Sequence, residues 1–285
     1  MAETHRHGRI QRHQRRRRLT TVGVLDSGVG GLSVLRALLD DIPSTRFVYV
    51  ADSAHAPYGE RPVDHVAARA HAITSHLRDA HAVDALVLAC NTATAHAIAG
   101  LRSVHPDLPI IGVEPALNPA AASSRSGRIG VLATRGTLGS ARFARLRDRQ
   151  LAAATRTLHF SCQPCDGLAD AIERHDEAAT EALCQRYLHS LLEQAGPEMD
   201  TLVLGCTHYT FASHVLRRLC GPTVTLVETG APVARRTRER LGAGLVPGSA
   251  ATPSVSLWCS GSSAALEQAA RRWLALDAAA SALPA

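Results

Sequence analysis

Two stretches of the chain decide the interpretation of the fold: residues 85–90 read ALVLAC, and residues 201–206 read TLVLGC. Each is an apolar run of strand length that ends in a cysteine, and residues typical of a helix start follow it. A second pair of segments repeats ahead of them, because residues 23–25 and 130–132 both read GVL. The repeat predicts two similar α/β units with a cysteine at the same strand end of each.

Short apolar runs and helical patterns alternate outward from these segments. The predicted strands are 22–25, 47–50, 85–89, 110–113, 129–133, 202–205, 224–227 and 255–258. The predicted helices are 63–78, 92–101, 141–151, 176–194, 211–219 and 263–280. Buried strands that alternate with helices favour parallel sheets covered on both faces. We expect an α/β fold of two similar domains, each a mostly parallel sheet flanked by helices, with the active site at their interface. The expected domains are 21–114 with 228–285, and 115–227.

Charge is concentrated at the N-terminus. The 285 residues have a net charge of +6, and the first 20 contain seven Arg and one Glu, which leaves a neutral body. We expect residues 1–20 to form a disordered basic tail, either a solvated extension or a weak, salt-sensitive contact for nucleic acid or an acidic partner. Three histidines in this tail, His5, His7 and His13, do not make a metal site, and we expect no metal elsewhere.

The composition excludes several classes of protein. The chain contains no lysine. A pyridoxal-phosphate enzyme with a lysine Schiff base is therefore excluded, as is an ordinary P-loop site. No apolar run approaches the roughly 20 residues of a membrane helix. With no secretory signal and seven cysteines, an odd number, we expect reduced thiols, a cytoplasmic location and no membrane partner.

Cys90 and Cys206 are the candidate reactive groups. Each ends a predicted strand, where ligands of open α/β sheets collect, and each precedes a helix start that favours the thiolate. A single activated cysteine suggests acyl transfer, whereas a matched pair on opposite sides of one carbon suggests stereoinversion. In that reaction one thiolate removes a proton and the other thiol returns one to the opposite face. Both thiols must then have a pKa near or below about 8.5.

A glycine-rich loop, residues 26–33 (DSGVGGLS), follows the first strand. It approaches a dinucleotide fingerprint, with Asp52 where a ribose-binding acid is expected, but Ser33 stands at the third glycine position. A small-molecule loop fits better, with backbone N–H groups on a carboxylate and Asp26 on an ammonium group or assisting proton transfer. Tyr58, in the next loop, either binds a ligand or packs.

Other loop residues leave two interpretations open. Thr134 and Thr137 are candidate carboxylate ligands or helix caps. The spacing Cys162-Gln163-Pro164-Cys165 is that of zinc or redox sites, yet no second ligand pair accompanies it. Cys184, Cys220 and Cys259 are interpreted as core or surface residues.

Six segments, in order, strongly resemble the glutamate racemases of the two-cysteine aspartate/glutamate racemase family. They are GVLDSGVGGL (23–32), ADSAHAPYG (51–59), ACNTA (89–93), VEP (113–115), ATRGT (133–137) and LGCTHY (204–209). The resemblance covers about residues 21–261. It implies a cofactor-independent enzyme that converts L-glutamate to D-glutamate for bacterial peptidoglycan, at a site between two α/β domains.

The resemblance also implies roles for individual residues. By motif, Cys90 and Cys206 are the two acid/base thiols, and Asp26 and His208 assist one thiol each. The implied substrate-binding set is Asp26, Ser27, Tyr58, Gly59, Asn91, Thr92, Thr134, Thr137, Thr207 and His208. Glu173 resembles a further acid near the site. The chain departs from the family pattern at Glu228, where many members have Asp, and at Asp166, so no role is assigned to Glu228.

Three other functions stay open from the sequence. A related two-cysteine racemase or isomerase would act on aspartate, a hydantoin or maleate. A non-catalytic binding protein would depend on the basic tail. A Cys–His hydrolase built on Cys206 and His208 would leave Cys90 unexplained. The expected partner is a small molecule, glutamate, and the sequence does not decide whether the chain forms a homodimer.

Overall fold

A computed structural model describes residues 19–242 and 253–284. The predicted basic tail lies outside the described residues up to position 18, together with its three histidines. Thr20 already belongs to the folded part, since its carbonyl accepts a hydrogen bond from the Arg46 amide.

All strands in the described ranges are parallel to their neighbours and form two sheets. The first sheet has the order β10-β9-β2-β1-β3-β4 and the second has the order β6-β5-β7-β8. The strands are β1 Thr21–Asp26, β2 Arg46–Ala51, β3 Ala85–Leu88, β4 Ile110–Gly112, β5 Arg128–Ala133, β6 His159–Pro164, β7 Thr201–Leu204, β8 Thr225–Val227, β9 Ser254–Cys259 and β10 Ala280–Ala282.

Helices connect the strands and cover the sheets. The α-helices are α1 Leu32–Asp41, α2 Val63–His81, α3 Asn91–Val104, α4 Leu117–Ser123, α5 Arg135–Leu138, α6 Ala141–Ala153, α7 Leu168–Glu173, α8 Glu177–Ala195, α9 Ser213–Cys220, α10 Gly230–Leu241 and α11 Ser263–Leu274. Three short 3-10 helices are η1 Ser53–His55, η2 Tyr58–Glu60 and η3 Thr207–Ala212. The predicted α/β class with two parallel sheets is confirmed.

The internal repeat corresponds to matching places in the two sheets. β3 lies beside β1 in the first sheet, and β7 lies beside β5 in the second. Every residue of β1 and β3 is buried, which explains why these strands are continuous apolar runs. The carboxyl ends of β3 and β7 therefore carry the two cysteine-containing loops at equivalent edges of the two sheets.

The last predicted helix, 263–280, is wrong in its C-terminal part. α11 ends at Leu274, and Ala275 takes the left-handed conformation with φ of 52°. The chain then forms β10, which pairs with β9. The alanine-rich sequence suits a helix, but strand pairing at the open edge of β9 overrides that local preference. No described helix is both long and apolar enough to span a bilayer.

Candidate active site

Loops from both sheets surround one cavity of about 230 Å³. The loops after β1, β2 and β3 contribute from the first sheet, and those after β5 and β7, with α7, contribute from the second. The residues that line the cavity are Ser27, Ser53, Ala56, Pro57, Tyr58, Gly59, Cys90, Asn91, Thr92, Thr134, Ala169, Asp170, Glu173, Arg174, Cys206, Thr207 and His208.

Cys90 lies between the end of β3 and the start of α3. Its Sγ is the N-cap of the helix and accepts a hydrogen bond from the Ala93 amide at 3.4 Å. The thiol also donates to Ser27 Oγ at 3.6 Å. Burial, and after it the charge of Asp26, raise the pKa of Cys90 to about 12. The expectation of a pKa near or below the ordinary value is therefore wrong for Cys90, because burial outweighs the helix N-terminus.

Asp26 is fully buried at the end of β1, behind the cavity lining rather than in it. Its Oδ2 accepts hydrogen bonds from the amides of Gly28 at 3.1 Å and Gly31 at 2.8 Å. Among the described groups, Oδ1 has no hydrogen-bond partner. Burial raises the pKa of this carboxyl to about 6, against the lowering effect of the nearby His208.

Cys206 has a different neighbourhood. It precedes η3, and its Sγ lies 3.8 Å from Nδ1 of His208. The other ring nitrogen, Nε2, lies 2.6 Å from Oε2 of Glu173. Burial lowers the pKa of His208, but hydrogen bonds to Cys206 and Glu173 outweigh it and raise the pKa well above the ordinary value. The imidazole is thus held as a cation between a sulfur and a carboxylate.

The glycines of the loop after β1 make room for groups that come from the second sheet. A Cβ on Gly28 would lie 2.2 Å from Glu173 Oε2, and a Cβ on Gly30 would lie 2.3 Å from His208 Nδ1. The loop amides are also occupied, since those of Gly28 and Gly31 bind Asp26 and that of Val29 lies 3.4 Å from Glu173. The expectation that these amides hold a substrate carboxylate is not met for these three groups.

Tyr58 is buried and contributes to the cavity lining. Its hydroxyl donates to Asp52 Oδ2 at 2.6 Å, so the structure shows packing and a hydrogen bond, and ligand binding stays a prediction. Arg69 binds the same carboxylate through two nitrogens, at 2.9 and 2.8 Å. Burial raises the pKa of Asp52, but the bonds from Arg69 and Tyr58 dominate and lower it. With these partners Asp52 is a structural anchor for the loop, which removes the ribose-binding interpretation.

The hydroxyl and amide candidates divide into lining and supporting residues. Asn91, Thr92, Thr134 and Thr207 line the cavity, and both side-chain polar atoms of Asn91 are buried without a described partner. Thr134 also caps α5, and its Oγ1 lies 3.0 Å from that of Thr92. Thr137 does not line the cavity; its hydroxyl lies 2.9 Å from Thr134 Oγ1.

Several other candidates are not at the cavity. Glu228, Cys162 and Cys165 are absent from its lining. Cys162 belongs to one apolar cluster and Cys165 to another, and both are free thiols. The described residues hold no cluster of three or more His, Cys, Asp or Glu side chains suited to a metal ion.

Some residues at the site were not predicted. Ser53, Asp170 and Arg174 line the cavity, and Arg174 pairs with Asp170 at 2.8 Å. Ser53 lies inside a segment that resembles the family, so it could have been found. Asp170 lies on the short helix α7 and Arg174 directly follows it, in a segment whose charged residues carry no distinctive pattern.

The chain is similar to proteins of a known family. The family model described as Asp/Glu/Hydantoin racemase matches residues 30–236. The chain is 49% identical over 236 residues to the glutamate racemase of Pseudomonas aeruginosa strain PAO1, covering 81% of this chain and 86% of that protein. It is 48% identical to the glutamate racemase of Ectopseudomonas mendocina, with coverage of 84% and 89%.

Solved structures show the same fold. A glutamate racemase isoform of Bacillus anthracis aligns with a TM-score of 0.81 at 29% identity, covering 93% of this chain and 97% of that one. The Escherichia coli glutamate racemase, solved with L-glutamate and the activator UDP-MurNAc-Ala, aligns with a TM-score of 0.80 at 30% identity, covering 93% and 98%. Two thiols from equivalent strand ends, together with these relatives, lead to one conclusion: the chain belongs to the Asp/Glu/hydantoin racemase family.

Proposed function

We propose that this protein interconverts L- and D-glutamate by a two-thiol mechanism that needs no cofactor. The observation that carries the proposal is that Cys90 and Cys206, from equivalent strand ends of two sheets, line the same small cavity. The relatives that share 48–49% of aligned residues are named glutamate racemases, which supports glutamate as the substrate. The chain has no lysine to carry pyridoxal phosphate, so its own side chains must do the chemistry.

The reaction consists of two proton transfers at Cα. One cysteine thiolate takes the Cα proton and becomes a thiol, which leaves a carbanion or its enediolate form. The thiol on the opposite face then gives its proton to Cα and becomes a thiolate, so the configuration inverts and charge is conserved. Hydrogen-bond donors around the substrate carboxylate stabilise the enediolate.

The two cysteines have different neighbours. With a pKa of about 12, Cys90 is a thiol at neutral pH. The reaction needs one base and one acid, and Cys206, with His208 beside it, completes the pair with Cys90. Glu173 holds His208 in place from the other side. Asp26 assists Cys90 from behind the cavity lining, so the expected direct contact with the substrate ammonium group is not part of the proposal.

The substrate carboxylates bind to the hydroxyl, amide and backbone groups of the cavity wall. The proposed binding residues are Ser27, Tyr58, Gly59, Asn91, Thr92, Thr134, Thr207 and His208, with Thr137 supporting Thr134 from behind. Tyr58 acts through its ring and backbone, because its hydroxyl is bonded to Asp52.

The same proposal includes the setting of the enzyme. The chain divides into domains 21–114 with 228–285, and 115–227, with the cavity between them. The enzyme is cytoplasmic and supplies D-glutamate for peptidoglycan. Pairing into a homodimer and contact of the basic tail with nucleic acid are separate hypotheses that activity alone does not require.

Incubation with L-glutamate in deuterated water tests the proposal directly. The purified, reduced protein should abolish the optical rotation of the solution and place deuterium at Cα, measured by polarimetry and proton NMR. Cys90→Ser and Cys206→Ser should each lose racemisation, whereas Cys220→Ser, a half-buried cysteine away from the cavity, should keep it. A folded protein that changes neither signal would refute the proposal, and a panel with aspartate, hydantoins and maleate would then identify the substrate.

A further inference from the structure

Tyr49 connects the core of the first sheet to the catalytic loop. It lies in β2, is fully buried, and its hydroxyl donates a 2.7 Å hydrogen bond to the carbonyl of Gly28. Resting on the function proposed above, we propose that Tyr49 is a positioning residue for the Cys206 half of the reaction, acting through the peptide bond between Gly28 and Val29.

That peptide bond has a partner on each side. Its carbonyl accepts from Tyr49, and its N–H, which belongs to Val29, points to Glu173 Oε2 at 3.4 Å. Because the peptide unit is planar, a bond that fixes the direction of the carbonyl also fixes the direction of the N–H. Tyr49 therefore sets the orientation of a donor that faces a carboxylate of the second sheet.

The contacts continue from Glu173 to the thiol. The same oxygen, Oε2, lies 2.6 Å from Nε2 of His208, and Nδ1 of that ring lies 3.8 Å from Cys206 Sγ. A hydroxyl in β2 thus reaches the thiol at the end of β7 through one peptide, one carboxylate and one imidazole. Each member of this series touches the next, and only the last three line the cavity.

The loop around Gly28 is held by two groups. Asp26 binds the Gly28 amide, and Tyr49 binds the Gly28 carbonyl. A Cβ at this position would lie 2.2 Å from Glu173 Oε2, so the carboxylate lies directly against the peptide. Without the tyrosine hydroxyl, the buried carbonyl of Gly28 would lose its described donor and the peptide could rotate.

Tyr49 stays a neutral donor over the working pH range. Burial, followed by the charges of Asp26 and Glu173, raises its pKa well above the ordinary value. Asp26 faces it from β1, Glu173 from α7 and the Cys90 thiol from the start of α3. The hydroxyl therefore remains a hydrogen-bond donor as the pH changes.

Tyr49→Phe tests the proposal by deleting one oxygen. The matched control is Thr74→Val, which removes another fully buried hydroxyl that donates to a carbonyl at 2.7 Å, within α2. Because the equilibrium constant between enantiomers is one, kcat/KM must fall equally in both directions, by about tenfold if one buried hydrogen bond is lost. The informative measurement is the primary isotope effect on kcat/KM for 2-deuterated L- and D-glutamate.

A slower Cys206 step changes the two isotope effects in opposite senses. It makes proton abstraction more rate-limiting for the enantiomer whose Cα–H faces Cys206, and less so for the other. His208→Gln gives the reference for this pattern, and Asp26→Asn gives the reverse pattern. In Tyr49→Phe, the difference between the isotope effects for L- and D-glutamate should change in the same direction as in His208→Gln. In Thr74→Val, this difference should equal that of the parent protein. No shift, or a shift in the sense of Asp26→Asn, overturns the proposal.

Two features keep the test decisive. Isotope effects are ratios within one preparation, so they do not depend on the fraction of Tyr49→Phe that is folded. If that variant is insoluble, 3-fluorotyrosine at position 49 keeps the hydroxyl as a stronger donor. With this residue, the difference between the two isotope effects should stay unchanged or change in the direction opposite to that of His208→Gln. A change in the same direction as His208→Gln counts against the proposal. A parental protein without Cα exchange refutes the racemase function itself, whereas an active parent with a silent Tyr49→Phe refutes only this inference.

Discussion

Cys90 and Cys206 occupy equivalent strand ends, yet their surroundings differ in charge. Cys90 caps a helix and lies beside a hydroxyl and the buried carboxyl of Asp26. Cys206 precedes η3 without a side-chain cap bond and faces the imidazole of His208, which Glu173 holds from behind. Burial and the charge of Asp26 keep the proton on Cys90, whereas Cys206 lies next to a group whose pKa is raised.

This difference indicates that two equivalent proton transfers can be assisted by neighbouring groups of different charge. The two proton transfers are chemically alike, but a resting enzyme needs one acid and one base at the same time. In the proposed mechanism, an acidic neighbour on one side and a basic neighbour on the other favour that division of roles. The two sheets present thiols in matching places, and the surrounding loops give those thiols different neighbours.

The largest effect on kcat is expected from a substitution of Asp26, the acid next to Cys90. Asp26→Asn keeps the shape and removes the charge, so kcat should fall on the order of 10²–10³-fold, the range of a lost acid/base group. The pKa of Cys90 should fall as well, because the charge of Asp26 raises it. Circular dichroism measures the racemisation, and the pH dependence of iodoacetamide labelling at Cys90, followed by mass spectrometry, measures the pKa.

Asp40→Asn, an exposed change at the end of α1, serves as the control and should behave like the parent. Stability gives an independent sign. The folded Asp26 carboxyl has a pKa raised from 3.8 to about 6, so the folded state binds the extra proton. The free energy of unfolding should therefore decrease as the pH rises from 4 to 6, and Asp26→Asn should remove that part of the slope. An unchanged slope and an unchanged labelling profile would contradict the assignment.

The second-largest effect on the rate is expected from Gly30→Ala, which adds volume next to His208 without changing any charge. In Gly30→Ala the new Cβ would lie 2.3 Å from His208 Nδ1, so the imidazole must move. A displacement of about 1 Å costs roughly 10²-fold in rate. Gly100→Ala, at an exposed position of α3, is the control: the new Cβ would lie 3.1 Å from Nε2 of His71, away from the cavity, and activity should be kept. Steady-state kinetics measure the rate of each variant, and thermal unfolding measures its stability. Full activity of Gly30→Ala would show that the reaction does not need His208 at its present position.

A smaller effect sharpens the role of the cation. Glu173→Gln removes a carboxylate that helps raise the pKa of His208, so the imidazole should lose its proton at lower pH. The basic limb of the kcat/KM profile should move to lower pH, with about tenfold less activity above pH 8. Histidine NMR of labelled protein reports the pKa directly. Glu181→Gln, which removes an exposed partner of Arg218, should leave both measurements unchanged, and an unshifted His208 in Glu173→Gln would disprove the link.

The smallest effect concerns the hydroxyl beside Cys90. Ser27→Ala removes a hydrogen bond that lowers the pKa of this thiol, so its pKa should rise further and labelling should slow. Racemisation should fall by several-fold, about the effect of one hydrogen bond. Ser262→Ala, which loses an N-cap bond at α11, should reduce stability by about 1 kcal/mol with no change in labelling. Faster labelling in Ser27→Ala would reverse the assigned sign.

Sequence patterns predicted the parts of the fold that depend on local signals. Eight strands were found because parallel strands are continuous apolar runs, even where, as in β8 and β9, they are only partly buried. β6 was missed because it is a half-buried edge strand that ends in Pro164, and its sequence looks like a cysteine motif. β10 was missed because its alanines favour a helix, and only pairing with β9 makes it a strand.

The site was predicted where it follows from motifs and missed where it depends on contacts. The strand ends and their cysteines placed Cys90 and Cys206 correctly at one cavity. The raised pKa of Cys90 could not be predicted, because burial is a property of the assembled fold. Tyr49 was counted only as a strand residue, since its hydrogen bond to Gly28 joins positions 21 residues apart.

The sulfur of Cys90 also caps the N-terminus of α3, and this affects the stability of the fold. Serine, threonine, aspartate and asparagine cap helices better than cysteine does, since sulfur is a weak acceptor. Cys90→Ser, which the proposed function expects to be inactive, should therefore melt at a higher temperature than the parent protein. At this position, the stability of the fold favours serine, whereas the proposed proton transfer requires cysteine. The chain has cysteine, the residue that caps α3 less well.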